Sequence, residues 1–340
     1  MAAPVGQVGR VSDGERFELG TFALHSGEVL PAAHVVYKTY GELAPDRSNV
    51  VLYPTSYGAQ HSDIEWLIRE RGILDPTRWF VVVVNQFGNG LSSSPSQLGR
   101  FVAFSHWDNV HAQERLLRER FGVERLALVY GWSMGAQQAY HWAVRYPERV
   151  ERVAALCGTA RTSPHNQLFL KSLEAALLAD PCWDGAWFTG TPERGLRVFA
   201  RIYASWAASQ AFYREGLYKQ FGFSDLEDYL ARAWEPSYRR RHASDLVSML
   251  RTWMASDVSS AEHASDLPRA LGAIRARSLV MPSATDLYFT EADCAADAAA
   301  IPNARFLTIP SIWGHRAGNP AQNPEDAEFI RKAVLELLSS

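Results

Sequence analysis

The pentapeptide at 131–135, Gly-Trp-Ser-Met-Gly, constrains the fold of this chain more than any other feature. It joins an apolar, strand-like run at 126–130 to a run at 134–145 with helical composition and spacing. A G-x-S-x-G motif between a strand and a helix predicts a nucleophile elbow, a turn so tight that Ser133 is strained and its hydroxyl is presented to a substrate. The glycines leave room for this turn, and the helix N-terminus offers free N–H groups to an oxyanion. This context favours the elbow over an ordinary strand-to-helix turn.

The rest of the chain alternates apolar strands with helices, which predicts a mostly parallel, doubly wound α/β sheet. The clearest strand is 79–85, where four successive valines suit a strand that is buried on both faces. Two earlier strands, 17–29 and 34–43, are expected to pair antiparallel. The other predicted strands are 49–55, 149–157, 277–281 and 304–309, and the helices expected beside the sheet are 63–71, 108–121, 134–145, 291–300 and 324–338.

Residues 159–272 interrupt this alternation. They contain no convincing sheet strand, and their helical segments are 166–179, 195–210, 224–233 and 244–256. Because the strand pattern resumes afterwards, we expect a helical cap over the carboxyl edge of the sheet rather than a separate helical domain. The predicted division is therefore a core of 1–158 and 273–340 with a cap of 159–272.

Composition and charge exclude several classes of protein. Of the 340 residues 47% are apolar and 21% are charged, so a large packed core is possible. The net charge is −3, and the one brief basic cluster, 239–241, is expected to be a solvated helix face, so no nucleic-acid partner is predicted. No run is long enough to span a membrane, and residues 1–10 lack the apolar core of a signal peptide. These features predict a cytoplasmic protein.

Neither a metal site nor a bound cofactor is predicted. The three cysteines, Cys157, Cys182 and Cys294, are far apart and lack C-x-x-C spacing, so buried, reduced thiols are expected. There is no H-E-x-x-H motif and no G-x-G-x-x-G motif. The Gly/Ser-rich segment at 86–95 lacks the lysine of a phosphate-binding loop and is interpreted as a plain loop.

A serine nucleophile needs a base, and the base needs an orienting acid. In enzymes with this elbow the chain order is Ser, acid, His, with each residue following a strand. Asp286 follows the strand at 277–281 and His315 follows the strand at 304–309, so both are expected at the same sheet edge as Ser133. His315 is preferred to the nine other histidines because it follows a glycine after the last strand. Asp286 could instead be a turn or capping residue, and the alternative acids are Asp257, Asp266, Asp293 and Asp297.

An oxyanion hole should combine two backbone amides near the nucleophile. The Met134 amide is one, and the loop after the strand at 49–55 should supply the other from Ser56 or Tyr57. Tyr57, Trp132 and Tyr288 are expected to line the substrate pocket.

Four segments of the chain resemble homoserine O-acetyltransferases, and they are 85–95, 131–135, 179–185 and the pair Gly314-His315. The resemblance extends over about 17–338 and includes the position and length of the cap. It implies an α/β-hydrolase fold, a catalytic triad of Ser133, Asp286 and His315, and acyl transfer through an acetyl-enzyme. It also places the second oxyanion donor at Ser56 and implies homodimers that contact through cap helices.

Two departures from that family bear on the acyl acceptor. Residues 54–58, Pro-Thr-Ser-Tyr-Gly, stand where the family usually has His-Ala-Leu-Thr-Gly. The acetyltransferases also carry an arginine six residues before an Asp-Pro pair, which grips the carboxylate of the amino acid. Here that position is Glu174, which would repel a carboxylate, and Lys171, one turn earlier, lacks the bidentate fork of arginine. Some members of the family are acetyl-ester hydrolases, and this chain resembles those more.

The sequence therefore predicts a serine ester hydrolase that acts on small esters, chiefly acetates, with water as the acyl acceptor. Glu174 is expected to lie at the substrate pocket. The alternative function is an acetyl-CoA-dependent homoserine O-acetyltransferase, or a related O-acyltransferase, on the same triad. A binding protein on a decayed hydrolase fold is disfavoured because the serine, the acid and the histidine are all present.

Overall fold

The computed structural model describes residues 14–339, and the strands of this part form one eight-stranded sheet. The strand order is β1-β2-β4-β3-β5-β6-β7-β8. β2 pairs antiparallel with β1 and β4, whereas all other neighbours are parallel, so the predicted mostly parallel α/β sheet is confirmed. The strands are β1 Glu15–Ala23, β2 Val29–Tyr40, β3 Val50–Pro54, β4 Phe80–Val84, β5 Leu128–Trp132, β6 Arg152–Leu156, β7 Arg277–Met281 and β8 Ala304–Phe306.

Successive residues of the central strands enter two different hydrophobic cores, one on each face of the sheet. In β4, Val82 and Val84 belong to one core, and Val81 and Val83 belong to the other. This double burial is the reason that the strand is apolar at every position rather than at alternate positions. The helices of the core segments are α1 Pro95–Leu98, α2 His106–Phe121, α3 Met134–Arg145, α11 Glu291–Ala300 and α12 Pro324–Ser339.

Residues 159–272, which we call the cap segment, add no strand to the sheet. Its helices are α4 Pro164–Leu178, α5 Glu193–Ala207, α6 Gln210–Arg214, α7 Leu226–Tyr229, α8 Glu235–Arg239, α9 Ala243–Met254 and α10 Leu267–Gly272. Helix α9 rests on the loops that follow β3 and β4. The Tyr57 hydroxyl donates to the carbonyl of Leu246, and the Ser96 hydroxyl donates to the Asp245 carboxylate. The cap segment is thus hydrogen-bonded to the edge of the sheet where the elbow lies.

The basic cluster at 239–241 is not a solvated face throughout, which corrects the expectation from the sequence. The Arg241 side chain is only 10% exposed; it donates to the carbonyl of Gly58 at 2.7 Å and pairs with Asp63 at 2.9 Å. Burial lowers the pKa of Arg241 to about 10, the nearby Arg240 acts in the same direction, and Asp63 opposes both. Arg240 also pairs with Asp63 but is 52% exposed. Arg241 therefore connects the cap segment to the loop after β3.

Several predicted elements have other bounds in the structure. For example, the strands predicted at 17–29 and 34–43 are Glu15–Ala23 and Val29–Tyr40, and the helix predicted at 224–233 is α-helical only over Leu226–Tyr229.

Two more predicted elements differ in kind or extent. The helix predicted at 63–71 is replaced by two short 3₁₀ turns, His61–Asp63 and Glu65–Leu67. The carbonyl of Leu67 accepts from the amide of Leu74, a contact that takes the chain out of a helical path. The last strand, predicted at 304–309, keeps regular pairing only over β8, and Ile309 meets Ser283 in a single isolated bridge.

No helix within 14–339 is long and apolar enough to cross a membrane. The prediction that residues 1–10 lack a signal peptide lies outside the described residues.

Candidate active site

The elbow turns between β5 and α3 with Ser133 in a strained backbone conformation, φ +58° and ψ −127°. A Cβ atom at position 131 would lie 2.2 Å from the carbonyl oxygen of Gly135. A Cβ atom at position 135 would lie 2.6 Å from the carbonyl oxygen of Pro54. Both glycines are therefore required by backbone contacts, one within the elbow and one with the loop that follows β3.

His315 lies between the elbow serine and a carboxylate. Its Nε2 is 2.9 Å from Ser133 Oγ, and its Nδ1 is 2.7 Å from Asp286 Oδ2. With a neutral imidazole, Nδ1–H donates to the carboxylate and Nε2 accepts from the serine hydroxyl. Ser133 and His315 are 2% and 3% exposed. The structure thus brings together the three side chains that the sequence placed after β5, β7 and the last strand.

Asp286 is held by the turn that it closes. Its Oδ1 accepts from the amides of Tyr288 at 2.8 Å and Phe289 at 3.2 Å, which leaves Oδ2 to His315. It is therefore a turn residue and the partner of the histidine at once.

The alternative acids lie elsewhere in the described part of the chain. Asp257 pairs with Arg161, and Asp266 caps α10. Asp293 lies in the first turn of α11. Asp297 accepts from the amide of Ala160 at 2.7 Å, and burial raises its pKa to about 7.

The turn that carries His315, Gly314–Gly318, is packed between the cap segment and the elbow. Gly314 has φ +65°, and a Cβ atom there would lie 2.8 Å from the backbone nitrogen of Ser209. A Cβ atom on Gly318 would lie 2.5 Å from Trp132. The Ser209 hydroxyl donates to the carbonyl of Ile312 at 2.5 Å. The imidazole is thus positioned by contacts from both sides.

The loop after β3 lies against the elbow, as an oxyanion hole requires. The Ser56 hydroxyl donates to the carbonyl of Trp132 at 2.5 Å, and Gln86 donates to the carbonyl of Ser56 at 2.9 Å. Within residues 14–339 no acceptor takes the amide hydrogen of Ser56 or of Met134. Both amides are therefore available to a substrate oxygen.

Two of the three aromatic residues expected at the pocket contact the triad, and the third, Tyr57, packs against the cap segment. Trp132 stacks on His315 with ring centroids 5.1 Å apart, and Tyr288 meets the same ring edge-on at 4.7 Å. Tyr57 stacks on Tyr203 of the cap segment at 5.7 Å. Burial raises the pKa of the Tyr57 and Tyr288 phenols, which therefore remain neutral hydrogen-bonding groups.

Sequence reasoning missed three residues of the cap segment that pack beside these rings: Phe169, Tyr203 and Trp253. Together with Trp132, Tyr288 and Phe289 they form what we call the aromatic wall. Phe169 stacks on Tyr288 at 4.7 Å, Trp253 stacks on Phe289 at 5.4 Å, and Tyr203 meets Tyr288 at 5.5 Å. The high content of tryptophan in residues 159–272 was the signal that could have indicated them.

Glu174 does not present an unpaired carboxylate to a substrate, contrary to expectation. Its carboxylate pairs with Arg251 at 2.7 Å, and the Arg251 side chain is 44% exposed. Arg251 also lies over the ring of Phe101, 4.8 Å from its centroid. Lys171 is exposed and is therefore no substitute for a buried arginine.

One group of potential metal ligands coincides with the triad. Ligand atoms of Cys157, Asp286 and His315 lie within 4.8 Å of one another. Both nitrogens of His315 already contact the serine and the aspartate. Burial raises the pKa of the Cys157 thiol well above its ordinary value, which disfavours the thiolate that a metal would need. The three cysteines are free thiols, and Cys157 and Cys294 are buried.

The family model of the α/β hydrolase fold matches residues 66–315. The chain is 37% identical to the ethyl acetate hydrolase of Pseudomonas veronii, over 96% of this chain and 95% of the relative. Its structure is similar to that of the acetyl esterase MekB, with a TM-score of 0.94, 36% identity and 97% of each chain covered. It is also 31% identical to the homoserine O-acetyltransferase of Rhodospirillum rubrum, over 86% of this chain and 85% of the relative.

Proposed function

The chain belongs to the α/β-hydrolase family, and from this premise we propose that it is a serine-dependent carboxylic ester hydrolase acting on small acetyl esters. The observation that carries the proposal is the position of His315, hydrogen-bonded to Ser133 on one side and to Asp286 on the other. Such a chain of contacts activates a serine hydroxyl that is otherwise a weak nucleophile.

In the proposed reaction Ser133 Oγ attacks the ester carbonyl while its proton moves to His315 Nε2. The amides of Met134 and Ser56 donate to the oxyanion of the tetrahedral intermediate. When the intermediate collapses, His315 returns the proton to the leaving alcohol and an acetyl-serine remains. His315 then takes a proton from water, the hydroxide attacks the acetyl group, and Ser133 recovers its proton as acetate leaves. Asp286 stabilises the imidazolium in both half-reactions without itself becoming protonated.

Water is proposed as the acyl acceptor because the described surroundings of the triad are aromatic. Among residues 14–339, no Lys or Arg side chain forms a hydrogen bond or an ion pair with Ser133, His315 or Tyr288. A carboxylate of an amino-acid acceptor would therefore be desolvated without a cation to pair with it. The named relatives with the higher identity are ester hydrolases, which agrees with this preference.

The alternative, acetyl-CoA-dependent transfer to homoserine or a related alcohol, uses the same acyl-enzyme. It is retained because homoserine O-acetyltransferases are relatives over most of the chain. The pairing of Glu174 with Arg251 removes the strongest sequence argument against it, since that carboxylate is already compensated. The preference for hydrolysis depends instead on the aromatic wall.

We also propose that 159–272 acts as a cap on a core of the remaining residues and that the protein forms homodimers through it. Three of its helix residues are large, apolar and exposed: Leu168 at 61%, Val198 at 48% and Leu226 at 46%. These side chains are candidates for the contact between cap helices that the family resemblance implies. A cytoplasmic location is proposed because the buried cysteines are free thiols.

Purified protein given p-nitrophenyl acetate, and then acetyl-CoA with and without homoserine, tests the function. We expect steady release of p-nitrophenol that homoserine neither accelerates nor redirects to O-acetylhomoserine. Ser133→Ala should lower kcat by about 10⁴-fold or more, because the covalent step is lost. Efficient formation of O-acetylhomoserine would establish the transferase instead, and full activity of Ser133→Ala would refute the triad.

A further inference from the structure

Five buried residues of the cap segment carry side-chain polar atoms without a hydrogen-bond partner within 14–339: Asn166, Ser244, Ser248, Trp253 and Ser256. Of these, Trp253 itself contacts the aromatic rings beside His315, and Asn166 lies on the helix that carries Phe169. Neither the oxygen nor the nitrogen of the Asn166 amide has a partner in the described chain, and nor does Nε1 of Trp253. Both residues are 0% exposed. Buried polar groups in native proteins are nearly always paired, so unpaired ones at this depth indicate a missing ligand or an ordered water. The triad and its oxyanion hole do not account for either residue.

Asn166 and Trp253 lie on neighbouring helix ends. Asn166 is in the first turn of α4, and Trp253 is in the last turn of α9. The hydroxyl of Thr162, four residues before Asn166, donates to the carbonyl of Trp253 at 2.6 Å and so ties the two ends together. The polar groups therefore lie on adjoining elements of the cap segment.

Trp253 is part of the aromatic wall beside His315, and the helix that carries Asn166 contributes to it. Phe169, one helical turn after Asn166 and on the same buried face of α4, stacks on Tyr288 at 4.7 Å. Tyr288 in turn lies 4.7 Å from the imidazole. Trp253 lies 5.8 Å from Tyr288 and 5.4 Å from Phe289. Since His315 delivers the proton to the leaving alcohol, this wall borders the alcohol portion of the substrate.

We propose that Asn166 and Trp253 bind a hydroxyl group on the alcohol portion of the substrate, so that the preferred esters are acetate monoesters of short diols. The inference rests on the proposed ester hydrolase function and adds the chemical class of the substrate. A hydroxyl can donate to Asn166 Oδ1 and accept from Trp253 Nε1–H, which pairs one atom of each residue. An alkyl group of the same size would leave those atoms unpaired and is discriminated against for that reason.

The test uses two acetates of equal size, 2-hydroxyethyl acetate and propyl acetate, with each kcat/KM divided by the rate of alkaline hydrolysis of the same ester. An aromatic chamber without polar groups favours the propyl ester, because the alkyl end is the more hydrophobic. We expect the wild-type enzyme to favour the hydroxyethyl ester by about tenfold, a ratio that a single neutral hydrogen bond can supply. A wild-type preference for propyl acetate would overturn the proposal.

The variant Asn166→Leu should lower this preference by about tenfold while its melting temperature stays equal or rises, because an unpaired buried amide has been removed. A ratio is insensitive to the fraction of active enzyme, so a merely structural role of Asn166 would leave it unchanged. Gln167→Leu is the matched control, since the neighbouring Gln167 side chain approaches the carbonyl of Met254 at 3.5 Å instead; its ratio should equal that of the wild type. An unchanged ratio in Asn166→Leu would refute the hydroxyl site.

Two further measurements keep the outcomes separate. Ethyl glycolate and ethyl propionate differ by a hydroxyl in place of a methyl group in the acyl portion of the ester. Asn166→Leu should leave the ratio of their kcat/KM values unchanged. A change in that ratio would contradict the assignment of the hydroxyl site to the alcohol side. If Asn166→Leu does not fold, Trp253→Phe, which removes Nε1–H, must lower the hydroxyethyl preference, or the proposal fails. Absence of Ser133-dependent turnover on every ester would refute the proposed function, whereas turnover without hydroxyl preference would refute this inference alone.

Discussion

The two sides of the active site are built on different principles. On the sheet side, the loops after β3, β5, β7 and the last strand hold polar groups that bond to one another, as in the chain from Asp286 through His315 to Ser133. On the cap side, α4, α5 and α9 contribute chiefly aromatic rings, namely Phe169, Tyr203 and Trp253. Under the proposed function, the sheet side determines the chemistry and the cap side determines which ester is accepted.

Beyond the loss of Ser133 itself, the largest loss of activity is expected from a substitution on the sheet side, at Asp286. In Asp286→Asn the side-chain oxygen can keep its bonds from Tyr288 and Phe289, but an amide nitrogen then faces His315 Nδ1 and favours the wrong tautomer. We expect kcat for p-nitrophenyl acetate to fall by about 10³–10⁴-fold with little change in the melting temperature.

Asp297→Asn is the matched control for this variant. It alters a second buried carboxyl group that bonds to the amide of Ala160, and the described structure records no contact between it and His315. Its kcat should remain within about threefold of the wild type, a change of well under 1 kcal/mol in the activation free energy. Equal losses in the two variants would show that burial of a carboxyl group, rather than its contact with His315, governs activity.

The sheet side was also the more predictable from sequence. Helix α3 and strand β7 have the bounds that were predicted, because each is rich in apolar residues and is followed closely by a proline, Pro147 or Pro282. The order of serine, acid and histidine sufficed to select Asp286 and His315, since residues that follow parallel strands meet at one edge of the sheet.

The cap side was predictable only as a set of helices. The partner of Glu174 is Arg251, 77 residues away, and no local sequence pattern predicts an ion pair over that separation. Arg241 was expected in solvent because it follows two other arginines, yet tertiary contacts bury it. The same reason explains the 3₁₀ turns at His61–Asp63 and Glu65–Leu67, where apolar spacing is helical but the backbone bonds to the following loop.

A smaller effect is expected where the two sides are joined. Arg241→Ala removes the buried contacts of the cap segment with Gly58 and Asp63, so we expect a loss of about 2–3 kcal/mol in the free energy of unfolding. Arg240→Ala removes an exposed pair with the same aspartate and should cost less than about 1 kcal/mol. Urea denaturation of both variants measures the difference. Equal losses would mean that the buried arginine does not fasten the cap segment to the sheet side.

The smallest expected effect is a dependence of stability on pH from Asp297. Its pKa is raised from 3.8 to about 7 in the folded protein, chiefly by burial, so the folded state binds this proton more tightly than the unfolded state. The contribution is therefore favourable at low pH and is lost as the pH rises from about 4 to about 7.

Thermal unfolding of the wild type and Asp297→Asn at pH 5 and pH 8 isolates this contribution. Between pH 5 and pH 8, the melting temperature of the wild type should fall by about 3 °C more than that of Asp297→Asn. Identical pH profiles of the melting temperature would contradict a raised pKa of Asp297 in the folded protein.

The burial of Ser133 has a consequence for how the enzyme works in time. A nucleophile on a residue that is only 2% exposed offers almost no surface to an ester while the surrounding groups keep their positions. Each turnover must therefore begin and end with a displacement of neighbouring side chains or of the cap segment. The frequency of that opening sets an upper limit on turnover, however fast the proton transfers at His315 are, and it filters substrates by size before any bond is made.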